Sequence, residues 1–243
     1  MAHSFDAAGR TGTMTRSDCA ACLWRDYGPA QPLPQRLAAP GTMIFRQGEP
    51  AGPVAILCSG TVRLFQTLSG GRRQIVSFAV AGDALNLDEG LNDLSAEAID
   101  AVSLCLIDRS ALAGLLAREP VLAAQLLART VRDLSRLRRQ LSWIGRQTAD
   151  ERISSFLLDF HKRSTGSESE PMLKLPMSRQ DIADHLGLAI ETVSRVLGRL
   201  SAEGSLGVVP GGVTLLDPQR LSAAVVPHRP GQAPRYRSWK RPG

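Results

Sequence analysis

Short apolar runs alternate with glycine-bearing turns along the first half of the chain. The clearest runs cover residues 54–58, 62–67 and 75–80. Each is rich in β-branched or aromatic residues, and many such strands at regular spacing are typical of a sandwich, a barrel or a jelly roll. We therefore expect a β domain of one of these kinds over residues 41–118. An N-terminal extension over residues 1–40 precedes it.

The period of the apolar pattern changes at Pro120, and proline is favoured at the first position of a helix. Two series then recur every seven residues, and together they have the alternating spacing of a coiled-coil seam. The seam consists of Leu127, Thr130, Leu134, Leu137, Leu141 and Ile144. Arginines flank it, which argues against a helix buried on all sides, although a core helix is the alternative. We expect residues 119–146 to form a homodimerisation helix.

Helical patterns return in residues 149–163 and 176–203, and two short apolar runs around a Pro-Gly-Gly turn follow. Such a turn between two runs indicates a β-hairpin. We expect residues 147–223 to form a winged helix-turn-helix domain, so that the fold class is α+β. From residue 227 onward the chain has four prolines and five basic residues but no acidic one, so we expect residues 224–243 to be a disordered basic tail.

Residues 178–200 have the pattern of a helix-turn-helix. Ala183 is small enough for two helices to cross, and Gly187 permits a left-handed turn between them. The apolar positions that would lock the helices together are Ile182, Leu186, Val193 and Val196. In this motif the second helix enters the major groove of DNA.

The second helix places three polar side chains, those of Glu191, Ser194 and Arg195, on one face. Arginine can donate to guanine, glutamate can accept from cytosine, and serine can serve either base. Residues that would hold the DNA backbone lie at the start of each helix. We expect phosphate contacts from Ser178, Arg179, Gln180 and Thr192. The alternative is an ordinary solvated helix face.

The overall charge agrees with an anionic partner. Lysine and arginine number 29 against 23 acidic residues, a net charge of +6, which favours double-stranded DNA or a membrane surface. No apolar run reaches the roughly 18 residues of a transmembrane helix, and the N-terminus has no secretory signal. We therefore expect a cytoplasmic protein with reduced thiols and no membrane contact.

The segment Glu191-Thr-Val-Ser194-Arg195 resembles the E-x-x-S-R signature of the FNR/FixK branch of the CRP/FNR transcription regulators. Residues 44–49 and 56–64 resemble the glycine-punctuated strands of that family, and the resemblance extends over roughly residues 19–222. The resemblance implies that residues 41–118 form a double-stranded β-helix (jelly-roll) effector domain. It further implies a homodimer on a TTGAT-N4-ATCAA-like palindrome, read by the three side chains above. It also implies RNA polymerase as a partner.

Family members that bind cyclic nucleotides carry a Gly-Glu pair followed by an Arg-Ser/Thr pair. The corresponding stretch here, residues 82–98, has no arginine, and its five carboxylates would repel a phosphate. They are Asp83, Asp88, Glu89, Asp93 and Glu97. A cupin-like metalloenzyme is a remote alternative, but residues 30–120 contain no histidine to bind its metal. We therefore expect neither a cyclic nucleotide nor an enzyme.

The cysteines leave the signal open. Oxygen sensors of the FNR type hold a [4Fe–4S] cluster with three N-terminal cysteines and one in the β-roll, and a cluster of this kind usually takes four thiolates. Cys19, Cys22 and Cys105 match three of these positions, while the fourth ligand would be Cys58 or Asp26. The alternative is a cofactor-free, FixK-like regulator controlled by abundance or thiol oxidation, with the cysteines as core residues or a redox pair. Haem or another signal is the third option.

Overall fold

The computed structural model describes residues 11–14, 33–165, 172–209 and 212–225. The β-roll strands are β1 (Thr11–Met14), β2 (Leu33–Ala38), β3 (Met43–Phe45), β4 (Val54–Ser59), β5 (Val62–Thr67), β6 (Arg73–Ala79), β7 (Ala84–Leu85), β8 (Ser95–Ala98) and β9 (Val102–Ile107). Helices α1 (Arg109–Arg118), α2 (Pro120–Arg146) and α3 (Ala149–Thr165) follow. The last part contains β10 (Met172–Lys174), α4 (Arg179–Leu186), α5 (Ile190–Ala202), β11 (Leu206–Val209), β12 (Gly212–Leu215) and α6 (Pro218–Ala224).

Two antiparallel sheets form the roll. One has the order β1-β2-β9-β4-β7 and the other the order β3-β8-β5-β6. Between them lies a core of side chains that alternate along the strands, such as Leu57, Val62 and Leu104, all fully buried. The jelly-roll, the long helix and the helix-turn-helix appear in the predicted order, so the α+β fold class is confirmed.

The roll begins earlier than the expected boundary at residue 41. Strand β2 lies within the region taken as an extension, yet it pairs with β9 over four residues, with Gln35 opposite Cys105. Its proline, Pro34, faces Thr13 of β1 near the start of the strand, a position where proline is tolerated. The proline-rich composition therefore concealed a strand.

Helix α1 and strand β10 were not predicted as separate elements. Helix α1 buries only Leu112 and Leu115, so its apolar pattern is short. It stops at Glu119 because a residue before proline is disfavoured in helical conformation, and α2 then starts at a bend of 114°. Strand β10 has three residues and is held by its pairing with β12.

The C-terminal part, from α3 onward, and the roll share one hydrophobic core. Phe78 of β6 contacts the rings of Phe156 and Phe160 on α3 at centroid distances of 5.9 and 6.4 Å. Ile153 and Leu157 of α3 are completely buried in the same cluster. Helix α3 therefore connects the sheet of the roll to the helix-turn-helix that it supports.

Within the described residues, no single helix is both long and apolar enough to cross a membrane. Helix α1 and most of α2 meet the length and composition criteria only together, as a sharply bent pair.

Candidate nucleic-acid interface

Helix α4 starts at a complete capping box. The Ser178 hydroxyl accepts from the backbone N–H of Asp181 at 3.1 Å, and the Asp181 carboxylate accepts from the Ser178 N–H at 3.0 Å. The reciprocal bonds satisfy donors that a helix start otherwise leaves unpaired. The helix ends at Gly187, whose φ of 64° is the left-handed conformation expected of this turn.

Helices α4 and α5 are locked by the predicted apolar positions. Ile182, Leu186, Val193 and Val196 are all buried. Ala183, where a small residue was expected, is completely buried. On the other side of α5, Arg199 pairs with Asp150 at the start of α3. Helix α5 is thus fixed to both α4 and α3, which gives its outer face a defined orientation.

The predicted base-reading residues lie on that outer face. Glu191 and Arg195 are exposed, and Ser194 between them is half-buried. The Arg179 guanidinium of α4 donates to the Ser194 hydroxyl at 3.3 Å, which brings the starts of the two helices together. A carboxylate, a hydroxyl and a guanidinium on one accessible helix face are the groups that read base edges in a major groove.

The four predicted phosphate-contact residues differ in their surroundings. Arg179 and Gln180 are exposed, whereas Thr192 is half-buried. Ser178 is also exposed, but its hydroxyl and its N–H both donate to Asp181, at 2.8 and 3.0 Å. The capping box therefore uses the donors of Ser178, and the side chains of Arg179 and Gln180 are better placed to reach a phosphate.

The predicted seam lies on the open side of α2. Leu127, Leu134 and Leu141 are 65%, 47% and 72% exposed. Leu137 is 37% exposed. The Thr130 hydroxyl donates to the Leu126 carbonyl of its own helix. The backbone of Ile144 continues the helix, and its side chain falls outside the described residues.

The opposite face of α2 is polar and packs on its own chain. Arg129 donates to Asp83 of the roll at 2.6 Å, and Gln140 donates to the Val76 carbonyl at 3.3 Å. Arg129 and Gln140 thus face the roll of the same chain, whereas Arg132, Arg138 and Arg139 are exposed and Leu122, near the start of the helix, is completely buried.

Two family models match the chain. The Crp-like helix-turn-helix domain matches residues 151–224, and the cyclic nucleotide-binding domain matches residues 35–119. The nitrogen fixation regulation protein FixK of Bradyrhizobium diazoefficiens is 37% identical over 185 residues, which is 75% of this chain and 78% of that protein. The transcriptional activator protein FnrA of Stutzerimonas stutzeri is 34% identical over 187 residues, or 75% and 77% of the two chains.

Among solved structures, FixK2 from Bradyrhizobium japonicum superposes with a TM-score of 0.71 at 36% identity, covering 78% of this chain and 96% of that one. The chain belongs to the CRP/FNR family of transcription regulators. Its relatives place it with the FixK/FNR-type members, which confirms the predicted resemblance to that branch. They are regulators and not enzymes, so the prediction that the chain is not an enzyme is also confirmed.

The sensor roll of this FixK/FNR-type regulator carries two of the predicted ligands, Cys58 and Cys105. Cys105 pairs directly with Ile56, and Cys58 lies two residues further along β4. Both thiols belong to one apolar cluster between the sheet and helices α1 and α2, where Cys105 is 5% exposed and Cys58 half-buried. The sheet therefore brings two cysteines that are distant in sequence to the same face.

The other predicted ligands, Cys19, Cys22 and Asp26, lie outside the described residues. The connection that contains them, residues 15–32, joins β1 to β2, and Met14 faces Leu33 where the two strands meet. Strand β2 is the immediate neighbour of β9, which carries Cys105. Within the described residues, no group of three or more His, Cys, Asp or Glu side chains is placed to hold a metal ion.

The acidic stretch over residues 82–98 has a feature that sequence reasoning missed. The Asp83 carboxylate accepts from Arg129 of α2 at 2.6 Å and from Arg163 of α3 at 2.7 Å. Burial opposes ionisation of this carboxyl, but Arg163, the Val80 N–H and Arg129 outweigh it and hold the pKa of Asp83 below its usual value. Asp83 thus connects the roll to both long helices, a role that no local pattern signals.

His185 of α4 lies where the roll, α2 and α3 meet. Its Nδ1 lies 3.3 Å from the Ile75 carbonyl and 3.4 Å from the Gln140 side-chain nitrogen. Burial, partly opposed by the hydrogen bond to Ile75 and reinforced by Arg163 and Arg136, lowers the pKa of His185 to about 4. The ring is therefore neutral at physiological pH and packs edge-on against Phe78 at 5.2 Å.

Proposed function

We propose that the chain acts as a homodimer that binds a TTGAT-N4-ATCAA-like palindrome through its two α5 helices. One observation carries the proposal: a single chain exposes both a polar reading face on α5 and a leucine seam on α2. A two-fold dimer presents two recognition helices to two half-sites, so a palindromic site follows from the symmetry of the protein.

The dimer part of the proposal is supported by the exposed leucines of α2. Removing a leucine side chain from water stabilises an assembly by about 1.5–3 kcal/mol, and the seam offers several leucines in register. Since the polar face of α2 is occupied by its own chain, a second α2 is the partner that the leucine spacing fits.

In the complex, Arg195 would donate two hydrogen bonds to a guanine, Glu191 would accept from a cytosine, and Ser194 would contact either base. Arg179 and Gln180 would hold the DNA backbone at the start of α4, with Thr192 doing so at the start of α5. Phosphate contacts fix the register of the protein, and base contacts supply the sequence preference.

The direct test of DNA binding compares the palindrome with a duplex of the same composition whose half-sites are scrambled. We expect the full chain to prefer the palindrome by a factor of about 1,000 or more at fixed, physiological salt. Equal affinity for the two duplexes would contradict sequence-specific binding.

Because the chain belongs to a family of transcription regulators, we also propose RNA polymerase as its partner and the cytoplasm as its location.

For the signal, we propose oxygen or redox state, sensed through the cysteines of the roll and of the N-terminal segment. The shared face of Cys58 and Cys105, together with the position of β2, which follows residues 15–32 in the chain, beside β9, supports a ligand set for a [4Fe–4S] cluster. Cys19, Cys22 and Cys105 would hold it, with Cys58 or Asp26 as the fourth ligand. When bound, such a cluster supplies oxygen sensitivity.

A cofactor-free regulator is the second candidate, and a different observation favours it. Cys105 is packed against Val54, Ile56 and Ile107 in an apolar cluster, the environment of an ordinary core cysteine. In that case DNA binding would follow protein abundance or oxidation of the more accessible Cys58. Neither candidate uses a cyclic nucleotide, because residues 82–98 contain no arginine that could hold its phosphate.

The two candidates are separated by purifying the protein without oxygen and measuring its visible spectrum, iron and sulfide. A brown protein with about four irons per chain that bleaches in air supports the cluster. A colourless, iron-free protein that still prefers the palindrome supports the cofactor-free regulator. In the first case Cys105→Ser should abolish the oxygen response, whereas unchanged regulation in that variant would exclude Cys105 as a ligand.

A further inference from the structure

The start of helix α4 is attached to the sensor roll through one buried carboxylate. Asp181 is 3% exposed, and its Oδ1 accepts from Arg63 of β5 and Arg73 of β6, each at 3.0 Å. The two arginines lie 118 and 108 residues before Asp181 in the chain. The DNA-reading pair of helices is therefore docked on the effector sheet by a specific ionic contact.

The other oxygen of this carboxylate belongs to the DNA-reading part. Oδ2 of Asp181 accepts from the N–H and the hydroxyl of Ser178, which completes the capping box of α4. One side chain thus contacts the sensor with one oxygen and fixes the first turn of α4 with the other. The next residues of that turn, Arg179 and Gln180, are two of the proposed phosphate contacts.

The charges of this cluster balance. Arg63 donates to both oxygens of Glu97 at 2.6 and 3.1 Å in addition to Asp181, and Arg73 lies 3.8 Å from Glu97. Two arginines thereby neutralise two carboxylates, all of them largely removed from water. Pairs of this kind are only weakly screened by salt, and removal of one partner leaves an unpaired buried charge.

We propose that Arg63 and Arg73 of the sensor roll are positioning residues for DNA binding, which hold the first turn of α4 and neutralise Asp181 beside it. This inference rests on the proposed function, since it concerns how the phosphate-binding end of α4 is held. It assigns to the effector sheet a direct part in DNA affinity, although neither arginine touches DNA.

The direction of the effect follows from exposure and charge. In the docked arrangement Arg179, Gln180, Glu191 and Arg195 are all exposed, so docking leaves the reading face open. Without the arginines, Asp181 and Glu97 would place uncompensated negative charge next to the helix end that receives a phosphate. The docked arrangement is therefore the one that binds DNA, and its loss lowers affinity.

The test uses the full chain carrying Arg63→Gln and Arg73→Gln together, with Arg72→Gln as the matched control. Arg72 adjoins Arg73 and is exposed, so the control removes one of the same charges from the same strand start. Affinity for the palindrome and for the scrambled duplex is measured over a range of salt concentrations. Amide hydrogen exchange of α4 and β6 is recorded without DNA.

We expect the double variant to bind the palindrome about 10-fold more weakly than the control, within the usual range of coupling between sites. Its preference over the scrambled duplex should stay unchanged, and its salt slope should fall by less than about one, because no phosphate contact is lost. The first turn of α4 should exchange faster. In a background of Asp181→Asn, the arginine substitutions should have a smaller further effect on affinity, since only Glu97 then loses its partners.

Affinity equal to that of the control, or higher, would overturn the proposal. A salt slope reduced by about one or more would also overturn it, because the arginines would then contact phosphates themselves. If the wild-type chain does not prefer the palindrome, the proposed function fails. The amide hydrogen exchange of α4, compared between the double variant and the control, still shows whether the arginines hold this helix. If the double variant does not fold, the same measurements are made on Arg73→Gln alone, because the Arg73 side chain is 32% exposed and its loss disturbs the core less.

Discussion

Helices α5 and α2 both present one face to solvent, but the two faces have opposite chemistry. Helix α5 buries Val193 and Val196 and exposes Glu191 and Arg195. Helix α2 instead exposes its leucines, as at Leu141, and turns arginines such as Arg129 toward its own chain. The packing of α5 is complete within one chain, whereas that of α2 is not.

This difference separates the two kinds of partner that we propose for the chain. An exposed polar face on an otherwise well-packed helix suits a polar, charged partner such as DNA. An exposed stripe of leucines on a helix that is already anchored suits a second apolar helix. Four predictions test this contrast, in order of decreasing expected effect.

The largest effect should come from placing charges on the seam. Leu134→Glu combined with Leu141→Glu would bring four carboxylates together across a two-fold seam and remove about 1.5–3 kcal/mol of apolar burial per leucine. We expect a monomer at micromolar concentration and palindrome binding at least about 100-fold weaker. Sedimentation and fluorescence anisotropy measure the two quantities.

Leu68→Glu is the control for the seam variants. Leu68 is exposed at the β5–β6 turn of the roll, so the substitution adds the same charge at an apolar surface position away from α2. It should leave both the mass and the DNA affinity unchanged. A seam variant that behaves like this control would show that the leucines of α2 do not hold a dimer.

The inner face of α2 meets α4 at His185, whose pKa makes stability depend on pH. Because the folded-state pKa is lowered from 6.5 to about 4, the unfolded chain takes up the proton first as pH falls. Stability from this group is complete above about pH 6.5 and is lost toward pH 4, by about 3 kcal/mol in total. The lowered pKa of Asp83 adds its own loss only at still lower pH.

Chemical unfolding at several pH values measures this effect, with His185→Gln as the reference. Glutamine stays neutral, so the difference in unfolding free energy between wild type and variant should shrink as pH falls from 6.5 to 4. A difference that is independent of pH would contradict a neutral, buried His185.

On α5, Arg195→Ala should reduce affinity for the palindrome by about 1–3 kcal/mol and relax the preference at one base position. Arg179→Ala should instead weaken binding to all sequences alike and lower the salt slope by about one. Competition with duplexes substituted at each half-site position measures the base preference of the Arg195 variant. Titrations at several salt concentrations measure the salt slope of the Arg179 variant. An Arg195 variant as selective as wild type would remove this residue from base reading.

The smallest effect should come from Thr130→Leu. The Thr130 hydroxyl is satisfied within its own helix by Leu126, so threonine contributes a polar group to an otherwise leucine-rich seam. Leucine there should tighten the dimer by about 1 kcal/mol, measured as a lower dimer dissociation constant. A weaker dimer would mean that position 130 lies outside the seam.

The parts of the fold with a local signal were predictable from the sequence. Gly187 and the four locking residues fix the helix-turn-helix because its pattern lies within about two helical turns on each side. The heptad spacing likewise predicted α2, and alternating apolar runs predicted the central strands. The base-reading role of Glu191, Ser194 and Arg195 remains a prediction that the exposed face of α5 permits.

What the sequence did not reveal depends on distant residues. Strand β2 is held by β9 despite its proline, and the Asp83–Arg163 pair joins positions 80 residues apart. The Arg63–Asp181 contact spans still more of the chain. No spacing rule selects one arginine out of many for a given carboxylate. Only the folded structure therefore shows that arginines of the same chain neutralise Asp83 and Asp181.

The most direct test of a dimer with two reading helices is to vary the spacer of its palindrome. We would measure the affinity of the full chain, and the mass of the complex, on duplexes with the N4 spacer and with a spacer longer by about five base pairs, half a helical turn. The account predicts two chains per duplex on N4 and affinity at least about 100-fold weaker on the longer spacer, where the half-sites face opposite sides of the helix. One chain per duplex, or equal affinity on both, would contradict it.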